Sequence, residues 1–165
     1  MHAVHSIDAP TYGANTSADV EEDSIIAKAL EILRRRIKRG PVMNSPAVVR
    51  EYLMLEAAKH HDYEVFGCLF LDAQNYVIEF REMFRGTLTQ TSVYPREVVK
   101  IALQNGAAAV IFTHNHPTGC MEQSRADEML TNTLKQSLNL VDVRVLDHII
   151  TGGGRSMSFA EKGLI

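Results

Sequence analysis

Residues 107–127 read AAAVIFTHNHPTGCMEQSRAD. Residues 107–113 are a short continuous apolar run, of the kind that forms a strand covered on both faces. In extended chain, residues i and i+2 point to the same side, so His114 and His116 can present both imidazoles to one ion. Pro117, Thr118 and Gly119 turn the chain, and Ser124 starts a helix. Asp127, one turn in, shares a helical face with Ser124 and can swing its carboxylate back toward the histidines.

The flanking segments supply the rest of a fold. Upstream, Pro95 opens a helix that Gly106 closes. Before it, EVFGCLFLD (64–72), the turn Ala73-Gln74-Asn75 and residues 76–84 read as an antiparallel hairpin. Ser45-Pro46 reads as N-cap and first position of a helix reaching about Lys59, with His60-His61-Asp62 a polar connection. Downstream, the helix begun at Ser124 runs to about Leu140, followed by the strand VRVLDHIIT (143–151), the turn Gly152-Gly153-Gly154 and a terminal segment. Residues 42–165 therefore form one α/β domain, a mixed central sheet flanked by helices.

Residues 1–20 show no sustained period and are expected to be a flexible arm. Residues 21–41 hold an N-terminal helix, with Ile25, Ile26, Ala29, Leu30, Ile32, Leu33 and Ile37 on one face. Its closing run of Arg34, Arg35, Arg36, Lys38 and Arg39 suits a helix C-terminus, with a nucleic-acid contact as the alternative.

At 165 residues the chain is long enough for one domain with a real core. A formal net charge of -3 provides no basic excess to hold a phosphate backbone, so DNA is not implied by bulk charge. No apolar stretch approaches the roughly 20 residues of a membrane span, and residues 1–9 lack a signal-peptide layout. The expectation is a cytoplasmic protein with Cys68 and Cys120 reduced.

A His-x-His pair alone is weak, since seven histidines give about 0.26 such pairs by chance. Requiring Ser and Asp at the observed offsets lowers the expectation to about 0.0007, which makes the combination informative. Ser124-x-x-Asp127 is also a helix-capping signature, but two imidazoles facing a helix start have no comparable structural task. His148, alone in an apolar strand, reads as a core residue or a partner of a ligand rather than a ligand itself.

The pattern H114-N-H116-P-T-G, then S124-R-A-D127, resembles the signature of JAMM (MPN) metalloproteases and reproduces its spacing. The wider text, EVFGCLFLD, FRGTL, VYPREVVKIAL, NGAAAVIF, HNHPTG and VLDHIITG, is similar in order and wording to the RadC family over roughly residues 42 to 163. It looks like the short form of that family, without the N-terminal helix-hairpin-helix region. The loop GCMEQS departs from the usual Gly-Asp-x-x-Pro-Ser wording, with Cys120 where an acid is common. The resemblance implies a JAMM/MPN-like, cytidine-deaminase-like three-layer sandwich.

One catalytic zinc (Zn2+) on His114, His116 and Asp127 would leave a coordination position for water and lower its pKa to about 7. By the same resemblance Glu64, at a strand start, is the general base, with Glu97 its rival at a helix start. Ser124 would donate to the developing oxyanion. Cys120 as a fourth, structural ligand is the minor alternative. The implied substrate is an amide, peptide or isopeptide. A metal-dependent nuclease or DNA-processing accessory, suggested by the family's association with DNA repair, and a non-catalytic binding module are the competing functions. A zinc deaminase is disfavoured, because neither His-x-Glu nor Pro-Cys-x-x-Cys occurs.

Overall fold

Val65–Leu71 (β1) and Val77–Arg85 (β2) form the expected antiparallel hairpin, its turn closed by Asn75 at φ 62°. The structure, a computed structural model, describes residues 21, 22, 24–28, 40–58, 63–86 and 93–165. The anticipated arm, the basic run 34–39 and His60-His61-Asp62 lie outside the described residues. The chain divides into two units, Met1–Lys38 and Arg39–Ile165. In the first, residues 24–28 are helical, with Ile25 and Ile26 exposed.

The second unit holds one five-stranded sheet of order β2-β1-β3-β4-β5, in which β3 is Ala109–Asn115, β4 Arg144–Gly152 and β5 Arg155–Ser158. Only the β3–β4 pair is parallel. Its crossover is the helix Arg125–Asn139 (α3); the other helices are Pro46–Ala57 (α1) and Pro95–Gln104 (α2). The sheet is therefore mixed and the fold α/β, as the alternation of periods indicates.

Strand periodicity divides the core into two layers. On one face Leu69, Leu71, Ala109 and Ile111 meet Val49 and Leu53 of α1. On the other, Phe66, Cys68, Phe70, Val110 and Phe112 meet Val98 and Ala102 of α2 with Leu134 and Leu138 of α3. Both β1 and β3 are buried along their whole length, which explains their unbroken apolar spelling. A smaller cluster of Ile150, Met157 and Phe159 sits beside Met121.

Two elements differ from the sequence reading. The strand after Gly106 runs to Asn115 rather than Thr113, because β1 and β4 pair with it from both sides up to its polar end. The terminal segment contains β5, four residues that fold back on β4 through the glycine turn. Among the described residues, no helix is long and apolar enough to cross a membrane.

Candidate metal centre

The even-numbered side chains of β3, Val110 and Phe112, enter the core beneath α2 and α3, and His114 continues that row at the strand's C-terminal end. Its backbone is paired with Phe66 of β1 and Ile150 of β4, and the residue is 7% exposed. His116 follows directly, its N–H donating to the Thr151 carbonyl at 2.7 Å. The turn closes when Gly119 N–H donates to His116 O at 2.9 Å with φ 74°, a left-handed geometry suited to glycine. Gly152 lies so close beneath that a Cβ there would stand 2.6 Å from the His116 carbonyl oxygen.

Three side chains converge. His114 Nε2 lies 2.8 Å from His116 Nε2 and 3.5 Å from Asp127 Oδ1. One ligand atom from each of the three falls within 4.8 Å of the others. The remaining polar atom of each is already engaged. His114 Nδ1 is 2.9 Å from His148 Nε2, and His116 Nδ1 donates to the Cys120 carbonyl at 2.6 Å. Asp127 Oδ2 accepts from Ser124 N–H at 2.8 Å and Ser124 Oγ–H at 2.7 Å. Burial pushes the His114 pKa down to about 4, opposed by the Asp127 carboxylate, so the imidazole is neutral near pH 7 and able to ligate. Two imidazoles and a carboxylate, with their other atoms fixed, match the donor set of a zinc centre that keeps a position open.

Ser124 is the N-cap of α3, and with Asp127 it forms a complete capping box. The cap itself holds one carboxylate oxygen and turns the other toward the histidines. Helix capping and metal presentation are thus compatible uses of the same two residues.

Glu64 directly precedes β1, two residues ahead of Phe66, the strand partner of His114, and is outside the three-residue cluster. Glu97 occupies the first turn of α2, beside Arg96 at 3.3 Å and Lys100 at 3.9 Å, where an acid suits the helix end. Cys120 is an exposed free cysteine that meets His116 through its backbone carbonyl. Cys68 is a buried free thiol whose pKa burial drives far up, which makes it inert packing. His148 is fully buried against His114.

Two contributors escaped the sequence reading. Asn115, between the two histidines, accepts from Val65 N–H at 2.7 Å and donates to Tyr63 O at 3.0 Å. Thr131 contacts His148 Nδ1 at 2.6 Å and donates to the Asp127 carbonyl at 2.6 Å. Its i+4 offset from Asp127 was the available signal for the second contact.

Fold and cluster together define an α/β sandwich bearing a potential three-ligand metal centre at one end of its sheet. The chain belongs to the RadC-like JAB domain family, whose family model matches residues 43–164. It is 55% identical over 151 residues to a UPF0758 protein of Variovorax paradoxus, covering 89% of this chain and 66% of the relative. It is 56% identical over 142 residues to a UPF0758 protein of Nitrosospira multiformis, covering 86% and 63%. A UPF0758 protein of Nitrosomonas eutropha matches at 56% over 143 residues, again covering 86% and 63%. The chain thus spans just under two thirds of the length of these curated relatives.

Proposed function

We propose that this domain is a zinc-dependent hydrolase of amide bonds, peptide or isopeptide, with His114, His116 and Asp127 as ligands. The observation that carries the reading is the convergence of three potential ligand atoms, each belonging to a side chain whose other polar atom is already bonded. Such prior fixation is what a catalytic metal site requires of its ligands. Zinc bound there would supply a water acidic enough to yield hydroxide near neutral pH.

Glu64 is assigned as the general base that takes a proton from the attacking water and passes it to the leaving nitrogen. Its place is favourable. The backbone on both sides of it is tied to Asn115, so the carboxylate is mounted on a segment anchored between the two histidines. Ser124 is assigned to the substrate carbonyl oxygen, because its hydroxyl stands at the edge of the cluster, 2.7 Å from Oδ2 of the proposed ligand Asp127.

The test is a comparison of wild type with Glu64→Gln on peptide and isopeptide substrates. The variant should keep about one zinc per chain and lose roughly 10²- to 10⁴-fold in kcat. Equal turnover by the two proteins would remove Glu64 from the mechanism. Metal-dependent cleavage of DNA with no amide cleavage would replace the reading by a nuclease, and a metal-loaded protein inert to both would favour a binding module.

A further inference from the structure

His148 and Thr131 take no part in the reaction proposed above, yet they are the two most deeply buried polar side chains near the cluster, at 0% and 1% exposure. Together they link two ligands that come from different elements. Starting from β3, His114 Nδ1 meets His148 Nε2 of β4, His148 Nδ1 meets Thr131 Oγ1 of α3, and Thr131 Oγ1 reaches the backbone carbonyl of Asp127.

Hydrogen-bond accounting leaves one arrangement of protons along this path. A carbonyl oxygen only accepts, so the single Thr131 hydroxyl proton goes to Asp127 O. Thr131 Oγ1 must then accept from His148, which places the His148 proton on Nδ1. His148 is wholly buried with its ring packed against Phe66, Phe112 and Phe159, surroundings that give a charged imidazole no water, so its Nε2 carries a lone pair. That lone pair can only accept, so His114 bears its proton on Nδ1 and presents the Nε2 lone pair toward His116 and Asp127. On the other side, His116 Nδ1–H donates to Cys120 O, so its Nε2 is the atom that faces His114 Nε2 at 2.8 Å.

From this we infer that His148 and Thr131 are positioning residues that set the tautomer of His114, aiming its Nε2 lone pair at the metal, and that lock β3 to α3 so that His114 and Asp127 stay in register. The inference rests on the metal-site reading above and adds to it a tautomer-setting relay. Packing alone would require only that the space be filled. The relay requires that residue 131 accept a hydrogen bond and donate another, and that residue 148 do the same at opposite ends of its side chain.

Thr131→Ser keeps both functions, while Thr131→Val keeps the shape and loses them. His148→Gln can accept from His114 through Oε1 and donate to Thr131 through Nε2, whereas His148→Leu can do neither. Zinc affinity of the full chain, read by chelator competition, should fall about tenfold or more in Thr131→Val and His148→Leu, and recover most of that loss in Thr131→Ser and His148→Gln. Imidazole nitrogen NMR of the wild-type protein, apo and zinc-loaded, should show the proton of both His114 and His148 on Nδ1. Equal affinities for Thr131→Ser and Thr131→Val, or a proton on Nε2 of His148, would overturn the inference. The hydrolase reading fails separately: zinc binding without amide cleavage would reject that function while the NMR tautomers still decide the relay.

Discussion

Asn115 holds Val65: its Oδ1 accepts from the Val65 N–H at 2.7 Å, while its Nδ2 donates to Tyr63 O at 3.0 Å. One buried amide thus spans the backbone on either side of Glu64. Because side chains alternate along a strand, the residue between His114 and His116 points away from the cluster, toward β1. Two of the three proposed ligands and the proposed base are thus tied to the same three residues of chain, His114, Asn115 and His116.

Asn115→Ala should therefore separate metal binding from turnover. The histidines keep their backbone pairing through β3 and Thr151, so zinc content should stay near one per chain. Loss of the amide leaves a buried Val65 N–H without its partner, costing about 1–3 kcal/mol of stability. The freed Glu64 segment should lower kcat by about tenfold or more. Zinc analysis, thermal unfolding and turnover on one preparation check this, and an unchanged kcat would show that the staple does not position the base.

Gly152→Ala makes the opposite prediction. The new Cβ would meet the His116 carbonyl at 2.6 Å and Gly119 Cα at 3.2 Å, and neither backbone can yield without moving the turn that carries His116. We expect a loss of about 1–3 kcal/mol in stability, typical of forced overpacking, together with weaker zinc binding. Chelator competition and denaturant unfolding measure both. Wild-type metal affinity in this variant would mean that the turn does not set the position of His116.

The metal-free protein should weaken in mild acid. His114 titrates near 4 in the folded chain against an ordinary 6.5, and burial shifts His148 in the same direction. Between these values the unfolded chain binds protons that the folded chain refuses, so stability present above pH 6.5 is lost progressively as pH falls toward 4. For His114 alone the loss is about 3 kcal/mol. Urea unfolding in chelator at pH 7.5, 5.5 and 4.5 should show the decline, with a shallower slope in His114→Ala. A flat profile over this range would contradict the burial argument.

The legible part of this molecule is the part written in local pattern. The hairpin, with its turn at Ala73-Gln74-Asn75, and the three described helices of the second unit, with Pro46, Pro95 and Ser124 at their starts, follow from periodicity and capping. So does the grouping of His114, His116 and Asp127, because alternation and one helical turn suffice to bring them close. Strand β5 was not legible, since Arg155–Ser158 is short and carries no apolar alternation of its own; its conformation comes from pairing with β4. Nor were the partners of Asn115 and His148, which are contacts across 50 and 34 residues that no local pattern encodes.

The most direct test of the central claim is the metal content of the purified wild-type chain beside a His114→Ala, His116→Ala double variant. The account predicts about one zinc per wild-type chain and none held by the double variant, with both proteins folded by circular dichroism. A well-folded wild type without stoichiometric metal, or a double variant that retains it, would contradict the assignment.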